Sequence, residues 1–377
     1  MAALYQLAVL GAPSKAQIHA LEKSLKSALE AFNLRLGDEV GWEISPAEFR
    51  PHQLQPSAVV FFGGANAHLS NLKELLVRGI PVVPVVSRAK QAPVELPPSL
   101  APFDYVDYAV YGAQSVAVAL LQSVGLLAQQ RKVFLSYCRE ELSEAATQLF
   151  EMLSARQFEV FLDHDDNTVD RKFSHQLWQR LCDADVLLML DTPTYFERRW
   201  TNAEFGRALA KGISVLRVGW PDSTSSARVS TASLLQLSGN EFNSFSKQFE
   251  ESALQRLCMK LEEVRSQSYA VRLVNFTSKV RIAVEASGGR FIGVGSHNMA
   301  YIQLANGKCL KAEMTFGVPV NKQDNNSSLR QSDALIYDPI GLHSTWLSQA
   351  GLGDDQAYPW IRVNEAELHF AYEKEGL

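Results

Sequence analysis

Trp200 and Glu204 stand one helical turn apart in a stretch, residues 200 to 211, whose pattern predicts a helix. Side chains at i and i+4 project from the same face, so the indole can wall the carboxylate from bulk water. Taken alone, Glu204 reads as a solvated helix acid and Trp200 as a packing residue. Asp163, Asp165 and Asp166 crowd together like a metal or acid/base cluster. Acidic loop residues near strand ends are commonly just solvated, and that reading is favoured for Asp166. Ser136 precedes Tyr137 without the glycine-flanked elbow of a hydrolase nucleophile. Cys138 and Cys182 read as small packing residues. The histidines at 19, 52, 68, 164, 175, 297, 343 and 369 never pair at i, i+4 nor group with cysteines, so no metal site is expected. Gly63-Gly64 and Gly293-Val294-Gly295-Ser296 each resemble the start of a phosphate-binding turn, but tight turns need glycine on steric grounds alone, and that reading is preferred. Asp338 and His343 support no assignment.

The elements that must position these groups follow from the apolar runs. At about 150 residues per domain, 377 residues predict two or three domains. Residues 4 to 10, Ala58 to Phe62 and Ile80 to Val86 are apolar runs alternating with helical stretches at Ala16 to Phe32 and Ala67 to Arg78. This reads as a parallel α/β domain over residues 1–129, closed by a helix at 113 to 128. Strands at Lys132 to Tyr137, Phe158 to Leu162, Asp185 to Leu190 and Ile213 to Val218 alternate with helices at 141 to 156, 172 to 184 and 200 to 211. A Ser/Thr-rich loop follows Trp220, then a helix from Phe245 to Ser266, which completes a second domain over 130–268. Residues 270–377 read as a third, mixed α/β domain of unknown role. In it Asn306-Gly307 signals a hairpin, and Ala334 to Tyr337 and Trp360 to Val363 look like short strands.

Composition narrows the function classes. Lys and Arg number 36 against 41 Asp and Glu, a formal net charge of −5, with 46% hydrophobic residues. That balance is globular, and it lacks the basic footprint of a nucleic-acid binder. No apolar run approaches the roughly 20 residues needed to span a bilayer. Four scattered cysteines, and an amino terminus without a basic region ahead of an apolar core, predict a cytoplasmic protein.

Phe134-Leu135-Ser136-Tyr137, then Phe161-Leu162-Asp163, Ala184-Asp185-Val186 and Trp200-Thr201-Asn202-Ala203-Glu204, four ordered boxes over residues 131 to 220, resemble the Toll/interleukin-1 receptor (TIR) domain. The resemblance implies a flavodoxin-like parallel sheet with a ligand cleft at the carboxyl ends of its strands. It also implies an NAD-cleaving activity in which Glu204 is the catalytic carboxylate. Phe134, Ser136, Arg139, Asp165 and Trp200 would line the substrate pocket, with Arg139 suited to the pyrophosphate. One carboxylate can suffice because nicotinamide leaves a cationic pyridinium as a neutral molecule and needs no general acid. Positive charge builds on the ribose, where a glutamate can stabilise it. NAD is then a substrate, and no cofactor is expected.

The resemblance extends to a bacterial, antiphage type that depletes NAD or makes a nucleotide signal, releasing ADP-ribose or a cyclic product. It implies self-association through the TIR domain and a nucleotide or protein trigger. The rival is a non-catalytic TIR adaptor or scaffold, which would not need Glu204 in its W-x-x-x-E setting. Two departures stand out: Asp170 occupies a loop position where the family usually has glycine, and Glu141 one where it often has aspartate. NLKELLVRGIPVVPVV at 71 to 86 parallels EFGRALAKGISVLRVG at 204 to 219, placing Asn71 opposite Glu204. The first domain then reads as a related fold without the acid, unless its helix-turn-strand unit merely converges on the same pattern; a ligand-sensing domain that binds a small nucleotide and controls the second is the other reading.

Overall fold

Six-residue strands with no exposed position need cover on both faces, and the sequence supplies helices between them to give it. In the computed structural model, which describes residues 3–162, 171–192, 194–195, 206, 208–220, 232–319, 332–340, 342, 346 and 357–359, the chain falls into two units. The side chains of 128, 139, 171–176 and 357–359 also lie outside the description. One unit comprises Met1–Leu126, Ala270–Pro339 and His343–Leu377, the other Leu127–Tyr269 and Ile340–Leu342.

In the first unit, β1 (Tyr5–Gly11), β2 (Val40–Ile44), β3 (Ser57–Phe62), β4 (Val82–Val86) and β5 (Val106–Asp107) form a parallel sheet in the order β2-β1-β3-β4-β5. The edge strands β2 and β5 are short and partly exposed, so no apolar run announces them. Helix α1 (Lys15–Glu30) starts at a capping box, Ser14 Oγ accepting from the Gln17 N–H and Gln17 Oε1 from the Ser14 N–H. It buries Leu21, Leu25 and Leu29. Helix α2 (Leu72–Val77) is shorter than the expected 67 to 78, and a four-residue α3 (Ala92–Glu95) follows β4. Helix α4 (Tyr108–Ser123) differs from the expected 113 to 128: it begins earlier, across Gly112 at φ 64°, and ends before Gly125 at φ 73°.

The second unit repeats the plan. Strands β6 (Lys132–Ser136), β7 (Glu159–Leu162), β8 (Val186–Asp191), β9 (Ser214–Gly219) and β10 (Ser233–Gln236) are all parallel, in the order β10-β9-β8-β6-β7. Numbered from its own first strand, each of the two sheets reads 2-1-3-4-5, the flavodoxin-like order. Helices α5 (Arg139–Ala155) and α6 (Arg171–Asp183) fill the first two crossovers, and residues 206 and 208–211 are helical between β8 and β9. A small hairpin, β11 (Phe242–Asn243) with β12 (Gln248–Phe249), precedes the long helix α7 (Glu251–Ala286).

Helix α7 corrects two expectations. It spans 36 residues rather than 245 to 266, because no glycine or proline interrupts it before Gly288-Gly289. It also runs through the expected boundary at 268/270, its residues to Tyr269 lying in the second unit and those from Ala270 in the first. Inside the second unit it is fixed by a buried charge network. Glu262 takes a two-pronged grip from Arg131 at 2.8 and 3.1 Å and a third bond from Arg265 at 3.2 Å, while Arg265 also reaches Asp185 at 3.3 Å. Arg131 further lies 4.0 Å over the Phe158 ring.

Residues 270–377 do not stand apart as a third unit. After α7 come β13 (Arg290–Val294), β14 (Met299–Gln303), β15 (Cys309–Thr315), β16 (Ala334–Tyr337) and β17 (Ala357–Pro359), a mixed sheet in that order. The Asn306-Gly307 turn joins β14 to antiparallel β15, with Gly307 at φ 84°. Met299 and Tyr301 of this sheet share one apolar cluster with Leu10, Phe61, Leu76 and Phe103. Tyr301 stacks on Phe103 at 4.1 Å and its hydroxyl accepts the Asp104 N–H at 2.8 Å, while burial drives that hydroxyl's pKa far up. The shared core is the physical reason the two segments form one unit. The expected strand at Trp360 to Val363 and the Ser/Thr-rich loop at 221–231 lie outside the described residues.

Candidate functional site

Along β6, β8 and β9 the side chains alternate between two faces. Val133, Leu135, Val186, Leu188, Leu190, Leu216 and Val218 enter the apolar cluster that includes residues of α5 and α7. Phe134, Ser136, Met189, Asp191 and Arg217 therefore share the opposite face, and the register sets Ser136 beside Met189 and Met189 beside Arg217. The polar members of this row collect toward the carboxyl ends of the strands, where open α/β sheets place their ligands.

Two buried polar pairs occupy that end. Ser136 Oγ and Tyr195 Oη are 2.7 Å apart, with Ser136 2% and Tyr195 0% exposed. Arg217 donates through Nε to Asp191 Oδ2, and both residues are buried. Burial pushes the Asp191 carboxyl above its ordinary pKa, and the hydrogen bond and charge of Arg217 only partly pull it back. Thr192, also buried, carries a hydroxyl with no hydrogen-bond partner among the described residues. Next to it Thr194 Oγ1 donates to Glu141 Oε1 at 2.5 Å, with Cys138 Sγ at 3.9 Å. Glu141, the residue standing where the family often has aspartate, thus ties the first turn of α5 to the segment after β8.

The expected site residues divide into three groups. Phe134 is fully buried in β6, and Ser136 closes that strand with its hydroxyl on Tyr195. Arg139 opens α5, with its side chain beyond the description. Asp165, Trp200 and Glu204 lie outside the described residues, as do Asp163, Asp166, Asp170 and His343. Among the described residues no three His, Cys, Asp or Glu side chains gather as a metal site would require.

The glycine turns have packing explanations. Gly63 N–H bonds to Val85 O at 2.8 Å and Gly64 N–H to Glu95 O at 3.0 Å, so neither amide points at an anion. A Cβ on Gly293 would come within 2.8 Å of Leu76 Cδ2, and one on Gly295 within 2.7 Å of Tyr301 Cε2. Sequence reasoning passed over Tyr195, Thr194, Asp191 and Arg217. Arg217 left one signal, a charge inside the apolar run SVLRVG, whereas Tyr195 lies in a loop where no periodicity marks it.

With this geometry in view, the comparisons with known proteins bear on the second unit. Residues 133–258 match a family model described as TIR domain. No curated protein matches the chain. A crystal structure described as that of a two-component system response regulator/GGDEF domain protein aligns with 69% of this chain and 99% of its own at 12% identity. Its TM-score of 0.22 is too low for that likeness to carry any argument.

Proposed function

Given a chain that carries a TIR domain at residues 133–258, we propose that it cleaves NAD, releasing nicotinamide and forming ADP-ribose or a cyclic ADP-ribose-type product. TIR domains include both NAD-cleaving enzymes and signalling adaptors, and they commonly self-associate. The observation that favours the enzyme is Glu204, inside the matched span and one turn after Trp200, in a W-x-x-x-E setting that an adaptor has no need of.

In this reading the bond from the ribose carbon to the nicotinamide nitrogen breaks with its electron pair going to the nitrogen. The pyridinium becomes neutral nicotinamide, so no proton is required at the leaving group. Glu204 stabilises the positive charge left on the ribose or holds its hydroxyls. Trp200 shields that carboxylate from water, Arg139 takes the pyrophosphate, and Asp165 is a further lining residue of the pocket. Phe134 and Ser136, being buried, form its floor. Attack by water on the ribose carbon gives ADP-ribose, whereas attack by a ring nitrogen of the substrate's own adenine gives the cyclic product. The reaction needs no metal and no resident cofactor.

The wider role proposed is antiphage immunity in the cytoplasm, by NAD depletion or a nucleotide signal, with TIR self-association controlled by a nucleotide or protein trigger. No helix among the described residues is long and apolar enough to cross a membrane. Incubating the purified chain with NAD, with and without a crowding agent, and quantifying nicotinamide tests the proposal. Release is expected, and chromatography of the second product separates hydrolysis from cyclisation. An assembled protein that releases none would support the scaffold instead.

A further inference from the structure

We infer that the β11–β12 hairpin of the second unit is a docking finger for a second copy of this chain, an inference that rests on the self-association proposed above and gives it a surface. Phe245, at the hairpin tip, is 99% exposed, so its ring meets solvent rather than its own chain. A lone apolar side chain on a surface is ordinary, but one held out whole on an ordered turn is not. Asn243 Oδ1 accepts the Phe245 N–H at 3.0 Å and the Ser246 N–H at 3.1 Å, which closes the tip. Beneath it the ring centroids of Trp220 and Phe242, Trp220 and Phe249, and Phe242 and Phe249 lie 5.2, 5.9 and 5.5 Å apart. The base is fastened at Glu241, whose carboxylate takes the Ser238 N–H at 2.7 Å and Arg256 at 2.8 Å. An aromatic ring presented on so ordered a turn loses little freedom on binding, which is the property of an interface anchor.

A matching surface adjoins the hairpin on α5. Gln148 of that helix holds the Phe249 backbone at both groups, accepting its N–H at 2.8 Å and donating to its carbonyl at 3.0 Å. Helical spacing sets Glu144 and Glu151 on one ridge next to Gln148, with Thr147 and then Phe150 beyond them. All four are exposed, Phe150 at 38%. Neither glutamate has an ion-pair partner among the described residues, and neither does Lys247 at the hairpin tip. The finger therefore offers a ring and an unpaired cation, and the helix face a ring and two unpaired anions.

That complementarity points to a second copy. Because finger and face adjoin in one unit, a two-fold axis between them brings each copy's finger to the other's face, Phe245 on Phe150 and Lys247 beside Glu144 and Glu151. Such a contact closes on itself as a dimer. A lipid surface fits less well, since Glu250 and Glu251 follow the hairpin directly and anionic head groups would repel them.

Sedimentation equilibrium of the full chain over a range of concentrations tests the inference. The wild type is expected to dimerise, and Phe245→Ser to weaken the dimer by at least about 30-fold, with the thermal midpoint unchanged because the ring is exposed. Lys247→Glu alone, or Glu144→Lys with Glu151→Lys, should each weaken it about tenfold, and the three changes together should restore most of the affinity. A dimer that survives Phe245→Ser at full strength, or charge changes that add instead of compensating, would overturn this surface and leave the self-association reading standing. A wild type that stays monomeric at every concentration would overturn both. Binding of that monomer to phosphatidylcholine vesicles, lost in Phe245→Ser, would assign the finger to a lipid surface instead.

Discussion

Arg217 and Asp191 illustrate how a buried charge constrains its neighbours. Taking both out of water costs about as much as their attraction returns, so the pair as a whole adds little stability, while either partner left alone is costly. Asp191 holds its proton more tightly in the folded chain than in the unfolded one. Its contribution is therefore fully present below the ordinary carboxylate range and declines as pH rises through the raised folded value. Removing the cation raises that value further. Arg217→Met should then cost roughly 3 kcal/mol at neutral pH, with the loss shrinking toward about pH 4 where a neutral Asp191 needs no partner. Urea titration at the two pH values checks it, and adding Asp191→Leu should restore much of the loss. A loss independent of pH would contradict the account. Arg217 was visible in the sequence as a charge among apolar residues, but its partner was not, because pairing across β8 and β9 depends on register. The Ser136–Tyr195 bond was hidden for the same reason, as its ends are 59 positions apart.

At the scale of elements, the glycines of β13 carry a sharper lesson than their spacing suggested. Gly293 packs against Leu76 and Phe103, both buried, and a Cβ there would lie 2.8 and 3.1 Å from them. Gly293→Ala is expected to lower the stability of the first unit by about 1–3 kcal/mol, read as a lower urea midpoint. An unchanged midpoint would mean that α2 yields freely. The central strands, with every position buried, were plain in the sequence because a long apolar run leaves few alternatives. The edge strands β2 and β5 were not, since half-exposed residues carry no such run. Helix α7 runs well past the expected end at Ser266, because nothing in Gln267 to Ala286 can stop a helix.

For the whole molecule, the shared 2-1-3-4-5 strand order gives the internal repetition a structural setting. In the first sheet α2 links the third and fourth strands, as the helical residues before β9 do in the second. Asn71, opposite Glu204 in that repeat, spends its amide on the backbone of Phe49, accepting its N–H at 3.1 Å and donating to its carbonyl at 2.9 Å. The residue that the sequence parallel sets opposite Glu204 is thus committed to a backbone clamp in the first unit. The same unit draws its core from both ends of the chain. Truncation after Ser287 should strip Met299 and Tyr301 from the cluster around Leu76 and Phe103, and limited proteolysis should then degrade residues 1–126 rapidly. Resistance equal to the full chain would refute the shared core. That partnership was illegible in sequence, because contacts such as Asp104 with Tyr301 join residues 197 positions apart.

The central claim, that the chain is an NAD-cleaving enzyme working through one carboxylate of its TIR domain, is tested most directly by nicotinamide release from NAD. The comparison is between the full-length wild type and Glu204→Ala, assayed at equal concentration and equal folded fraction. Release by the wild type with a loss of at least about a hundredfold in the variant is the predicted result, in keeping with removal of a charge-stabilising group. Release that survives the substitution undiminished would contradict it.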